Sequence, residues 1–230
     1  MSTPSPRPVL YSGPLSMFGA KVEIAALEKR LDVAVVMVPY DSGAGYSPRH
    51  PEVVRINPKQ QVPVLVHGDL EIFDSTQIFE YLEDLVPEPR LWPRDVQARA
   101  RARSLEHQSD EVYFPHVIRL MGLQDQLDGE PARTAIAAAT RYHAAQDQRL
   151  ADQDWLAGTF SFADIAFYMA ALFGERQGAP ITGATPRLLA WRDRMSARPA
   201  VHKVAGAMAA WLLAAGRPVP AFMAQLTAAP

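Results

Sequence analysis

Not one cysteine occurs in the 230 residues. Disulfides, thiolate metal sites and a cysteine nucleophile of the chain's own are thereby excluded, so any thiol chemistry has to arrive with a ligand. An excess of positive charge is missing too. The 23 Lys and Arg stand against 25 Asp and Glu, a formal net charge of −2, which argues against a nucleic-acid partner. No stretch approaches the roughly 20 apolar residues of a membrane span. Residues 1–8 are rich in Ser and Pro and lack the apolar run of a signal peptide. There is no internal repeat. A hydrophobic content of 48% and a charged content of 21% are those of a soluble globular protein, here expected to be cytoplasmic, with chain enough for a substantial core.

What is present is proline, 20 of them, and their placement divides the chain. Residues 9–12 form a short apolar strand, and 16–30 carry Phe18, Val22, Ala25, Ala26 and Leu27 at helical spacing. The β-branched run 33–38 reads as a strand buried on both faces. After the Gly/Ser/Pro-rich loop 39–51 come a helical turn at 52–56, strand 64–66, a Gly68-Asp69 turn, strand 70–73 and helix 75–85. The order βαβ-α-ββα describes an α/β thioredoxin-like layer over 1–86, its first two strands parallel. Residues 87–93, with three prolines in the surrounding Val86-Pro87-Glu88-Pro89-Arg90-Leu91-Trp92-Pro93, read as a linker. Everything from 94 to 230 is expected to be an all-α domain, with helices at 94–121 (bent near Pro115), 131–151, 162–173, 186–196 and 199–213. Several of these begin on Pro at a first-turn position.

The chemistry concentrates in two places. Pro63 stands at the entrance of an apolar strand, where a residue without an N–H is a backbone device. If the Val62-Pro63 bond is cis, the Val62 N–H and C=O turn outward toward a peptide-like ligand. Eleven residues further, Asp74-Ser75 opens a helix and brings an acceptor, a hydroxyl and unpaired backbone N–H donors, a seat for a carboxylate. A docking edge beside such a helix end suits a small acidic peptide. Ser161-Phe162-Ala163-Asp164 is a capping arrangement that folds rather than catalyses, with Phe160 in position to staple onto Ile165.

The segments Asn57-Pro58-Lys59-Gln60-Gln61-Val62-Pro63-Val64-Leu65 and Asp74-Ser75, together with the 155–166 and 191–201 segments, resemble cytosolic glutathione transferases over nearly the whole chain. The first segment and Asp74-Ser75-Thr76-Gln77-Ile78-Phe79-Glu80-Tyr81 are most similar to bacterial members, including those that cleave β-aryl ethers of lignin-derived aromatics. The resemblance implies a homodimer that binds glutathione in the N-terminal domain and a small apolar electrophile against the helical one. Glutathione is then a co-substrate, and no cofactor or metal is implied. It implies that Val62 pairs through its backbone with the cysteinyl unit, that Pro63 is the cis residue, and that Asp74 and Ser75 hold the γ-glutamyl end. Gln61, and Lys59 beside it, fall near the glycine end.

Pro14-Leu15-Ser16-Met17-Phe18-Gly19-Ala20-Lys21-Val22 is similar to the family's Ser/Cys-Pro-Phe-x-x-Lys/Arg-Val pattern and points to Ser16 as the catalytic hydroxyl, with Met17 where proline is usual. Tyr11 and Ser12 are competing hydroxyls, and Ser16 can also be read as a plain helix cap. Tyr113, Phe114 and His116, with Met121, are expected in the co-substrate pocket, and residues 40–47, with Tyr46, at its lip. Arg99, Arg101 and Arg103 alternate along a helix and cannot form one face. The rival reading is a noncatalytic ligand-binding or protein-interaction module on the same fold.

Overall fold

The computed structural model describes residues 6–41, 43–47 and 49–227. The first five residues of the Ser/Pro-rich lead and two positions in the 39–51 loop lie outside the described residues. Four strands, β1 (Val9–Ser12), β2 (Ala34–Met37), β3 (Val64–His67) and β4 (Leu70–Phe73), form one sheet in the order β2-β1-β3-β4. β1 and β2 run parallel, while β3 is antiparallel to both β1 and β4. β2 is therefore an edge strand and alternates between half-buried and exposed, with Val35 43% and Met37 49% exposed. This corrects the expectation of a strand buried on both faces. A short β-branched run reads alike whether its strand is central or at an edge.

α1 (Met17–Glu28) packs between two partners. Val22 and Ala26 face the sheet with Leu10, Leu65, Ile78 and Leu82, while Met17, Ala20, Ile24 and Ala25 face the helical domain. A helix enclosed on both sides is apolar nearly all round, which is why its stripe is weak. α2 (Pro51–Ile56) covers part of the other sheet face through Val53, and α3 (Ser75–Leu85) completes the layer.

The segment 86–93 is fastened rather than slack. The Glu83 carboxylate accepts the Leu91 and Trp92 N–H groups, each at 3.0 Å, and pairs with buried Lys29 at 2.6 Å. Beyond it lie α4 (Val96–Gln108), a π-helical turn at Ser109–Tyr113, α5 (Phe114–Met121), α6 (Glu130–Arg149), α7 (Phe162–Arg176), α8 (Pro186–Ser196), α9 (Pro199–Ala214) and a short α10 (Ala221–Ala224). The break foreseen near Pro115 is the π-helical turn just before it.

Helix α7 is wholly buried from Phe162 to Gly174 and forms the axis of this domain. Asp164 anchors it by accepting from Ser161 N, Leu156 N and Trp191 Nε1 at 2.9–3.0 Å. Phe160 turns to Trp155 and to the Arg198 guanidinium. Among the described residues, no helix is long and apolar enough to cross a membrane.

Candidate active site

Two cavities meet along the seam between the sheet layer and the helices. The first, about 270 Å³, is polar and is lined by Gln61, Val62, Pro63, Asp74, Ser75, Glu106 of α4 and Asp110 and Glu111 of the π-helical turn. The second, about 750 Å³, is more apolar and is lined by Ser16, Phe18, Tyr46, Phe114, Ile118, Met121 and Phe173. Phe18, Gln61 and Val62 belong to both linings.

Asn57 shapes the common wall. Its amide donates to Gln61 O at 2.6 Å, its side-chain oxygen takes Lys59 N at 2.9 Å, and its backbone oxygen takes Gln60 N at 2.7 Å. The Val62-Pro63 bond is cis. Among the described residues nothing bonds the Val62 N–H or C=O, so both are available to a ligand. Across the polar cavity, Asp74 caps α3 by accepting Thr76 N at 3.0 Å and Gln77 N at 3.3 Å. Its φ of +77° is unusual for a residue with a side chain. Ser75, the first residue of α3, is buried at the helix end, where the backbone dipole favours an anion.

The floor of this cavity comes from the helical domain. Lys21 is fully buried and pairs with Glu106 at 2.8 Å and Asp110 at 2.5 Å, and Thr76 donates to Glu106 at 2.7 Å. Burial pushes the Asp110 carboxyl up to about 6, a rise opposed by Lys21 and reinforced by Glu106. One oxygen of Asp110, itself a lining residue, is buried and has no hydrogen-bond partner among the described residues. Sequence reasoning missed this triad. Glu106 and Asp110 lie 85 and 89 residues from Lys21, and no local pattern links them to it.

Ser16 caps α1, its Oγ accepting Gly19 N at 2.9 Å, and lines the apolar cavity. The competing hydroxyls lie outside the two cavity linings. Ser12 is fully buried and donates to Glu23, and Tyr11, whose ring lies 5.0 Å from that of His50, does not line either cavity. Tyr46 is a further hydroxyl at the cavity. It accepts Leu15 N at 3.3 Å, and burial pushes its phenol up, so it stays protonated.

The expected co-substrate residues divide. Phe114 lines the apolar cavity with Ile118 and Met121, one face of α5 at i, i+4 and i+7, and meets Phe18 edge-on at 5.5 Å. Tyr113 does not line it. Its ring is fully buried in the helical core against Phe167, and its hydroxyl lies 3.0 Å from His143 Nε2, in the space a Cβ on Gly174 would need. His116 does not line it either, because two residues on from Phe114 it falls on the opposite side of the helix. Arg103 reaches Glu80 through two hydrogen bonds of 3.0 and 2.8 Å, tying α4 to α3.

With this geometry in view, residues 10–90 match the family description "Glutathione S-transferase, N-terminal domain" and residues 112–199 match "Glutathione S-transferase, C-terminal domain". The chain is 31% identical to Glutathione S-transferase 3 of Zea mays over 86% of its own length and 93% of the relative's. A second similarity, to Glutathione S-transferase 1 of Dianthus caryophyllus, is 39% identical over 50% of the chain and spans about half (48%) of that relative. Among solved structures, a glutathione S-transferase from Rhodospirillum rubrum F11 superposes with a TM-score of 0.79 at 25% identity, covering 96% of this chain and 100% of that one. An α/β layer joined to an all-helical domain, with the site along the seam, is the glutathione transferase architecture. The chain belongs to the glutathione S-transferase family.

Proposed function

We propose that the protein is a glutathione S-transferase acting on a small apolar electrophile. Glutathione lies along the common wall. Its γ-glutamyl carboxylate meets Ser75 and the N–H end of α3, its ammonium meets Asp74, its cysteinyl unit pairs with the Val62 N–H and C=O, and its glycine end passes Gln61. The sulfur then faces Ser16, and the electrophile occupies the basin of Phe18, Phe114, Ile118, Met121 and Phe173. Domain limits at 86 and 94 and a homodimeric state complete this reading.

The observation that carries it is the shared wall. Val62, whose N–H and C=O have no partner among the described residues, separates a polar cavity ending at a helix cap from an apolar one holding a hydroxyl.

In the reaction the thiol loses its proton to solvent. The sulfur lone pair forms a bond to an electrophilic carbon, and the leaving group departs with its bonding electrons or the added pair is protonated. Ser16 donates a hydrogen bond to the thiolate and takes no proton. A free thiol has a pKa of about 8.5. Bringing it to about 6.5 takes roughly 2.7 kcal/mol, within reach of one hydrogen bond to a charged acceptor (about 1.5–3) plus the α1 dipole (about 0.3–1).

The test is calorimetric titration with glutathione followed by thiol consumption on an aryl halide. Affinity with turnover supports the proposal. Affinity without turnover of any electrophile moves the assignment to a binding module, and no affinity for glutathione overturns both.

A further inference from the structure

A third cavity, about 410 Å³, lies on the far side of α1, between the loop after β2 and helix α9. Val38 alone is common to it and the apolar basin of the active site. Its walls are Met37, Tyr40, Val204, Met208 and Trp211, and the Tyr40 and Trp211 rings meet edge-on at 5.4 Å. Into this apolar space projects one acid, Glu23 of α1. One Glu23 oxygen accepts the Ser12 hydroxyl at 2.5 Å, and among the described residues its other oxygen has no hydrogen-bond or ion-pair partner.

The groups facing Glu23 are few. Ser12 comes from β1. Tyr46, from the loop, adds a phenol that burial keeps neutral. Lys203 of α9 is exposed, and its charge acts on Glu23 without an ion pair. Burial lifts the Glu23 carboxyl to about 7, against the pull of Ser12 and Lys203. A carboxylate in an apolar enclosure is costly unless a cation meets it. The aromatic pair in the wall attracts cations as well, through its ring quadrupoles.

We infer that this cavity is a second ligand site, distinct from the glutathione seam, for an organic cation: an alkyl- or arylammonium whose charged head meets Glu23 beside the Tyr40–Trp211 pair while its apolar body lies on Met37, Val204 and Met208. Met37, half exposed on the edge strand, stands at the mouth.

Methyl-labelled methionine reports the two sites separately. Met37 and Met208 line this cavity, whereas Met17 and Met121 line the active-site basin. With 2-phenylethylammonium, above neutral pH where Glu23 is ionised, the Met37 and Met208 methyl signals shift saturably. The neutral isostere 2-phenylethanol binds at least roughly tenfold more weakly, since only the ammonium gains the charge-assisted bond. Glu23→Gln keeps an acceptor for Ser12 and removes the preference for the ammonium. If that variant does not fold, Trp211→Leu serves, with an expected loss of roughly fivefold in ammonium affinity from the missing aromatic face. Shifts at Met17 and Met121 instead, equal affinity for the alcohol, or undiminished ammonium binding by the folded variant each overturn the inference.

Discussion

Ser16 Oγ accepts the Gly19 backbone N–H at 2.9 Å, so the hydroxyl is occupied as an acceptor and keeps its own proton to give. Cap and catalyst are compatible in one group. Ser16→Ala should raise the pKa of bound glutathione thiol by about one to two and lower kcat/KM at neutral pH by roughly 10–100-fold. It should also cost about 1 kcal/mol of stability through the lost cap. Ser16→Thr, which keeps both roles, should restore most of each. Thiolate ultraviolet absorbance against pH measures the first effect, and an unmoved titration in the Ala variant sinks the assignment.

Asp74 combines a cap with a charge, and the two separate cleanly. Asn tolerates positive φ and its side-chain oxygen can still take Thr76 N and Gln77 N, so Asp74→Asn removes only the charge. Glutathione affinity should fall roughly tenfold with little change in melting temperature, in line with one lost charge-assisted bond. Equal affinities in calorimetry would mean that the ammonium is held elsewhere.

Lys21 is enclosed with two carboxylates, and removing it strands both. Lys21→Met should destabilise the fold by about 3–5 kcal/mol at pH 7. The loss should shrink in mild acid, because Asp110, already raised to about 6, then takes up a proton. Urea midpoints at the two pH values give the comparison, and a penalty that does not depend on pH would contradict it.

Tyr113 offers the converse case, a residue of the core rather than the pocket. Tyr113→Phe leaves His143 Nε2 without its partner and should cost about 1–3 kcal/mol of stability. Its kcat/KM should stay within about twofold, since a fold-only defect leaves the chemistry alone. A selective loss of activity would return Tyr113 to the site.

Glu23 sets a pH slope of unusual sign. Its folded pKa, about 7, lies above the ordinary 4.5, so the native state holds more protons across that window. The contribution of Glu23 to stability is therefore most favourable below 4.5 and is lost as pH rises through 7, by on the order of 3 kcal/mol. His143, lowered by burial to about 4, works the other way and removes stability as pH falls from 6.5 toward 4. Chemical denaturation across pH should show Glu23→Gln flattening the decline on the neutral side while the acid limb stays. A wild-type slope retained in the variant would rule Glu23 out as its source.

Much of this architecture could be read from residue order alone. Helices Ser75–Leu85 and Pro186–Ser196 have the limits that their periodicity and proline starts dictate. The turn at Val62-Pro63 and the helix start at Asp74 were legible because a proline at a strand entrance and a capping Asp each act locally. What escaped was long-range or directional. Val35 and Met37 look like core until the sheet order puts β2 at an edge. Tyr113 and His116 flank Phe114 in the chain, yet only a helix face, not adjacency, decides which side chain reaches the cavity. The Lys21 triad and the α9 wall behind Glu23 exist only once the helical domain has closed on α1.

The wall of Gln61 and Val62 has a consequence for the end of the catalytic cycle. On the proposed chemistry two molecules arrive separately, one to each side of that wall, and leave as one. The joined product grips both cavities at once, and each half holds the other at high local concentration. Its hold therefore exceeds that of either substrate, and unless each half is gripped weakly, departure rather than bond formation limits the rate. The contacts that make capture effective are then the ones that slow release, which sets an upper bound on how tightly a transferase of this shape can usefully bind.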